Sequence, residues 1–308
     1  MNVISSLQTI KNCIMENTIT GRTANLAGSF KKEITSMIGF MPNKTIILGS
    51  GLADAVENST FFHKIGELQL SSGLAFAHLP NFNADGHKLR IILVEENSSK
   101  EKVVVVCGRK HIYEIDKDGG DLKEVVRIPR SLALAGVTDF YHTSAVGGIN
   151  PSKPGSLIFV TDHDGSQLIP RGLFTGSDGS KFGPMFVACS DLYNTSVSLR
   201  TINKYSTKGV LQWHVGPMFE TPAQIKRLQM FGISGVGMSM LPEVIALKQM
   251  SLTSGLGSIN NIGIGVVANP AAGIGDISIT HEDVKKVMAA TAPVLMEFIA
   301  AIIKERAA

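Results

Sequence analysis

Residues 215–244, VGPMFETPAQIKRLQMFGISGVGMSMLPEV, decide the fold. Thr221 and Pro222 read as an N-cap followed by proline at the first helical position, where its missing N–H costs no hydrogen bond. Ile225 and Leu228 give that helix an apolar stripe, and Gly232 is placed to end it. The small residues of 234–240 then read as a buried strand, and Pro242 opens a second helix with Glu243 in its first turn. Glu220 therefore precedes one helix and Ser239 the next. Each stands at the carboxyl end of a strand, where open α/β sheets place ligand-binding groups. A carboxylate at Glu220 can accept from a ligand N–H, and a hydroxyl at Ser239 beside a helix N-terminus suits an anion such as phosphate. Each residue also has a plain structural explanation, as a solvated loop acid or a capping hydroxyl. Partners elsewhere in the chain have to decide.

Upstream, the apolar strand 44–48 runs into Gly49-Ser50-Gly51, a turn that offers backbone N–H groups and a hydroxyl at a helix entrance. An alternating strand at 88–94 and a buried one at 103–107 lead to Gly108-Arg109-Lys110-His111. Arg109 and His111 lie two residues apart, on one side of the emerging strand. Arginine is the side chain best suited to bidentate phosphate binding, and His111 can donate to the same anion. A strand at 138–143 ends in a second glycine turn, 144–151, and another strand follows at 156–161. Residues 162–184 form a long irregular segment, of a kind usually functional or mobile in compact domains. A helix at 191–205, a strand at 210–214, a buried strand at 262–268 leading to Asn269, and a last helix from about His281 complete the pattern. Near the start, 24–40 is an amphipathic helix with Leu26, Phe30, Ile34 and Ile38 on one face. The expectation is an N-terminal arm, 1–23, and one α/β domain, 24–308.

Composition narrows the function classes. A net charge of +3 in 308 residues, mixed along the chain, gives no surface for nucleic acid or membrane. The three cysteines form no CxxC pair and fit a reduced compartment. The N-terminus lacks a secretory pattern, and no run approaches a membrane span, so a cytoplasmic protein is expected.

Four separated segments, in order, carry a resemblance: GSGL at 49–52, GRKHIYE at 108–114, the AVGGINP turn at 145–151, and GPMFET with GMSMLPEV within 216–244. Together they resemble the trimeric purine nucleoside phosphorylases of the 6-oxopurine type, from about residue 24 to the C-terminus. The resemblance implies a single-domain α/β fold of the nucleoside phosphorylase/hydrolase kind, with a mixed, partly barrel-like central sheet flanked by helices, and a homotrimer. It implies phosphate-binding roles for Ser50, Arg109, His111, Ala145 and Ser239, with His87 on a loop beside them. It implies ribose contacts from Tyr113, Met238 and His281, and from Phe182 reaching into a neighbouring subunit. It implies a base pocket of Phe219, Glu220 and Asn269, with Glu220, Asn269 and His111 as the catalytic groups. No metal or organic cofactor is implied, and phosphate is a co-substrate.

The implied reaction is reversible phosphorolysis of inosine or guanosine, and their deoxy forms, to free base and ribose 1-phosphate. Arg109→Ala is expected to raise the phosphate requirement and leave the fold intact. The chain departs from the family pattern at Ser144, Leu211 and Pro270, and in the segments before His87 and at 115–120. Two other readings stand beside the main one. A 5′-methylthioadenosine phosphorylase of the same superfamily usually has aspartate where Asn269 stands and threonine in place of Ser239. A catalytically weak nucleoside-binding paralogue would be suggested by loss of Arg109, His111 or Glu220, and all three are present.

Overall fold

The computed structural model describes residues 19–49, 51–70, 76, 79–80, 89–116, 122–167, 192–253, 255–275 and 281–307. Its layering follows from one strand, β4 (Lys102–Cys107, KVVVVC). Val103 and Val105 enter one core and Val104 and Val106 another, as the two-residue period of a strand dictates. A strand buried on both faces shows a continuous apolar run, and this is the reason for four consecutive valines.

The first core forms where Ile46 and Leu48 of β1 (Lys44–Leu48) and Ile92 and Val94 of β3 (Arg90–Glu96) meet Met288, Leu295, Phe298, Ile299 and Ile302 of the last helix, α7 (His281–Ala307). The second forms where Ile47, Ile91 and Leu93 meet Leu26, Phe30 and Ile34 of α1 (Ile19–Ile38) and Ile128 and Leu132 of α3 (Arg127–Ala135). Among the described helices, α7 is long and apolar enough to cross a membrane, which the sequence reading did not anticipate. Its apolar residues fill the core instead.

The remaining strands are β2 (Phe62–Glu67), β5 (Asp139–Gly148), β6 (Leu157–Asp164), β7 (Thr207–Trp213), β8 (Gly235–Gly237) and β9 (Asn260–Pro270). The short helix α2 (Ile112–Asp116) follows β4, and a 3-10 turn, Leu122–Val126, leads into α3. The later helices are α4 (Leu199–Tyr205), α5 (Pro222–Met230) and α6 (Leu241–Thr253). The sheet order is β2-β3-β4-β1-β5-β8-β7-β6-β9, with β9 also pairing β5. The last five strands therefore close on themselves as a barrel, and β2-β3-β4-β1 extend from it as a wing. Pairings are mixed: β1 is parallel to β4 and β5, while β5–β8 and β6–β9 are antiparallel. The mixed, partly barrel-like α/β fold is the expected one.

Boundaries differ from expectation most at three places. The helix expected at 24–40 is Ile19–Ile38, so the end of the expected arm belongs to α1; residues 1–18 lie outside the described residues. The expected glycine turn at 144–151 is in part strand, because Gly147 and Gly148 pair with Val236 and Gly235 of β8 while β9 holds the other edge. The helix expected at 191–205 begins at Leu199. Before it, Asn194 is tied to β9, its N–H donating to the Asn261 carbonyl (2.7 Å) and its side chain to Asn260 (2.8 Å), and Ser198 caps the helix by accepting from the Thr201 N–H.

Candidate active site

Arg109 leaves β4 through Gly108 and is buried. Its Nε and Nη2 donate to the two carboxylate oxygens of Glu243, both at 3.2 Å, and Nη1 donates to the Thr143 carbonyl at 2.6 Å. Two residues on, the Glu114 carboxylate accepts from the His111 backbone N–H (2.7 Å) and lies 3.1 Å from Nδ1. A carboxylate accepts, so Nδ1 carries the hydrogen, and Nε2 faces the Ser239 hydroxyl at 3.0 Å. Residues 128 positions apart in sequence thus meet at one point.

Ser239 sits in the turn between β8 and α6. The next residue, Met240, has φ +68°, a left-handed conformation that costs a non-glycine residue about 1 kcal/mol or more. Burial of the Met240 side chain and a hydrogen bond from the Leu241 N–H to the Ser239 carbonyl (2.9 Å) hold this turn. Ala145 lies on β5, opposite Val266 of β9. The Gly49 N–H donates to the Thr143 hydroxyl at 3.0 Å, which fixes Gly49 beside the same stretch of β5.

Tyr113 stacks on His111, with ring centroids 5.0 Å apart and planes inclined by 14°. Met238 and Tyr113 both pack against Gly216. A Cβ built there would sit 2.5 Å from the Met238 sulfur and 2.8 Å from the Tyr113 ring. Gly216 also has φ +73°, so any side chain would be both strained and obstructed.

Glu220 lies just before α5, and Asn269 is the next-to-last residue of β9, paired with Gly147 of β5. Ala271, just beyond Asn269, packs in one cluster with Ile225 and Leu228 of α5, the helix that follows Glu220. Glu220 is nearly buried, and this desolvation, opposed by a hydrogen bond to its own backbone and by His214, raises its pKa above the ordinary value. His214 Nδ1 is 4.0 Å from the carboxylate, too long for a hydrogen bond, and accepts instead from the Gly216 N–H at 3.2 Å. The Asn269 amide donates to the carbonyl of Pro270, at 2.7 Å. Phe219 is 58% exposed.

The structure therefore brings Arg109, His111, Ala145 and Ser239 to one end, Tyr113 and Met238 to the middle, and Glu220 and Asn269 to the other end. Ser50, His87 and Phe182 lie outside the described residues, as does the side chain of His281, which opens α7. Sequence reasoning gave no role to Glu114, Thr143 or His142, and none beyond helix opening to Glu243. Glu243 could have been found as the acid in the first turn of the helix that follows Ser239, and Glu114 three residues after His111. Thr143 contributes a backbone carbonyl, for which no side-chain pattern exists. Glu243 is fully buried: desolvation alone would raise its pKa, but the Arg109 charge and the His142 hydrogen bond outweigh it and hold the carboxyl at about 2. No cluster of metal-ligating side chains occurs among the described residues.

Comparison with known proteins gives a consistent picture. A purine nucleoside phosphorylase from Mycobacterium leprae is 32% identical over 78% of this chain and 80% of its own length. Purine nucleoside phosphorylase 1 of Geobacillus stearothermophilus is 29% identical over 86% of this chain and 92% of its own. Among solved structures, isoform 2 of purine nucleoside phosphorylase from Schistosoma mansoni, in complex with cytosine and ribose-1-phosphate, superposes with a TM-score of 0.70 at 26% identity, over 90% of this chain and 95% of that one. Residues 52–304 match the family described as the phosphorylase superfamily. By these matches the chain belongs to the phosphorylase superfamily, and within it to the purine nucleoside phosphorylases.

Proposed function

We propose that this protein catalyses the reversible phosphorolysis of 6-oxopurine nucleosides, inosine and guanosine, in purine salvage. The observation that carries this reading is the meeting of His111 with Ser239 at 3.0 Å, beside a buried Arg109. A hydroxyl at a helix entrance, an imidazole and a guanidinium converge there, as an oxyanion requires.

In this reading phosphate binds at that end and the nucleoside lies across Tyr113 and Met238, with its base toward Glu220 and Asn269. The C1′–N9 bond lengthens and its electron pair goes to the purine. A phosphate oxygen then bonds to C1′, giving ribose 1-phosphate. Arg109, His111 and Ser239 hold the anion against the sugar cation that develops. Glu220, as a carboxylate, accepts from the purine N1–H, and the Asn269 amide turns from Pro270 to donate to O6 or N7 as charge grows on the base. Ser50 and His87 are assigned to the phosphate, and His281 to the ribose. Phe182 is assigned to a neighbouring subunit of a homotrimer. Phosphate is a co-substrate and no cofactor takes part.

The test is product release from inosine, guanosine, adenosine and methylthioadenosine, with and without phosphate. Phosphate-dependent release of hypoxanthine and guanine with ribose 1-phosphate is expected. Phosphate-independent release, or a preference for methylthioadenosine, would overturn the proposal. Light scattering checks the assembly, and a fully active monomer would remove Phe182 from its role.

A further inference from the structure

The Arg109–Glu243 pair continues inward. The second carboxylate oxygen of Glu243 lies 3.1 Å from Nδ1 of His142, whose Nε2 lies 3.0 Å from the side-chain oxygen of Asn261. The Asn261 amide nitrogen donates in turn to the Leu192 carbonyl at 3.4 Å. All four side chains are buried, and His142 has no exposed surface. The imidazole is thus bracketed by two side-chain oxygens, one on each ring nitrogen. Its ring is also held by stacking on Phe140, with centroids 6.1 Å apart.

Two features tie this chain of bonds to the anion end. First, Glu243 takes the Nε–Nη2 edge of Arg109 and Thr143 takes one hydrogen of Nη1. One N–H on each Nη is left, and an anion would meet those two. Second, the 109–111 segment is fastened to α6 at two points. Arg109 holds Glu243 in the first turn of α6 and His111 holds Ser239 in the turn before it, so contacts two residues apart on the segment bracket the start of the helix. His142 sits beside Thr143 on β5 and fixes Glu243 from behind.

We propose that Glu243 and His142 are positioning residues that aim the free N–H groups of Arg109 at the bound phosphate. Neither touches the anion; both act through the guanidinium. The inference rests on the assignment of Arg109 to phosphate and is tested so that the two can fail separately. The experiment measures KM for phosphate, KM for inosine and kcat at saturating phosphate in the wild type and in Glu243→Gln, His142→Gln and Arg109→Ala.

Glu243→Gln keeps the shape of the side chain and should raise phosphate KM by roughly tenfold or more, because a guanidinium displaced by a fraction of an ångström loses its alignment. His142→Gln should raise it by a smaller factor. In both, kcat and inosine KM should stay within about twofold, a split that general loss of structure does not produce. Should Glu243→Gln fail to fold, His142→Gln carries the test alone. An unchanged phosphate KM in Arg109→Ala overturns the anion assignment. A raised value there with wild-type phosphate KM in both other variants overturns the positioning alone, as does a parallel loss of kcat and both KM values.

Discussion

The two ends of the site are built differently. At the proposed phosphate end the described side chains are fastened: Arg109 to Glu243 and Thr143, His111 to Glu114 and Ser239, Glu243 to His142. At the proposed base end Glu220 stands on a loop before α5, Asn269 at the end of β9 bonds only its own neighbour's carbonyl, and Phe219 faces solvent. The two principal acids carry the contrast in their ionisation. Glu243 is held at about 2, its burial outweighed by Arg109 and His142, whereas burial raises Glu220 above its ordinary value. An anion of one shape and charge can be met by a rigid cradle. In the proposed reaction the base changes charge, and groups that become paired only when it arrives suit it.

The largest effect is expected at the open end. Sites that read a ligand by hydrogen bonds discriminate by roughly four orders of magnitude, because the wrong ligand leaves buried groups unpaired. Inosine should exceed adenosine by a ratio of that order in kcat/KM. Asn269→Asp should move the ratio toward adenosine, since a carboxylate accepts from the 6-amino group. A ratio that stays put would mean that Asn269 does not read the base, and the contrast between the ends would lose its functional meaning.

At the fastened end, Arg109→Ala removes one partner of a buried ion pair. The expectation from sequence is an intact fold; the structure adds a stability cost, because Glu243 would be left buried with His142 as its remaining partner. A loss of about 3–5 kcal/mol in unfolding free energy is expected, along with the raised phosphate KM. Denaturant unfolding checks it, and Arg109→Ala combined with Glu243→Ala should recover part of the loss.

These two ends were not equally legible. Arg109, His111 and Ser239 stand out in sequence because each follows a strand or opens a helix, and a local pattern shows that. Lys44–Leu48 is delimited to the residue for the same reason: five buried apolar or half-apolar positions end at a glycine. The His142–Glu243–Asn261 connection joins positions more than 100 residues apart, and no local period records it. Gly147 and Gly148, at the end of β5, look like a turn in sequence, and only pairing with β8 and β9 makes them strand. The barrel closure through β5–β9 is a long-range event of the same kind.

A smaller effect follows from the raised Glu220. A folded pKa above the unfolded one means that the fold favours the protonated form. This contribution is fully present below the ordinary value of 4.5 and is lost as pH rises through the raised value. At pH 7 the carboxylate is therefore a burden on stability, and Glu220→Gln should raise Tm there, the difference vanishing at acid pH. Activity should move the opposite way. Wild-type kcat/KM for inosine should fall on the acid side at a pH above the usual glutamate range, and Glu220→Gln should be weakly active without that limb. A lower Tm in the variant at pH 7 would show that the carboxylate is satisfied in the free protein, as at the other end.

The smallest effect tests whether the ends are mechanically separate. Thr221 follows Glu220 and caps α5 with a full capping box: its hydroxyl accepts from the Gln224 N–H at 3.3 Å, and the Gln224 side chain accepts from the Thr221 N–H at 2.7 Å. Pro222 already fixes the first helical φ, so the box mainly sets the direction from which residue 220 arrives. Thr221→Ala should cost about 1 kcal/mol in urea unfolding, the usual value of a lost cap. The Glu220 carboxylate should lose its fixed approach, so kcat/KM for inosine should fall severalfold, by roughly the factor that about 1 kcal/mol represents. Phosphate KM should not follow, because nothing in the Arg109–Glu243–His142 connection passes through α5. A phosphate KM that moved in step with the nucleoside parameter would mean that α5 holds both ends, and that the fastened cradle and the open base pocket are one unit.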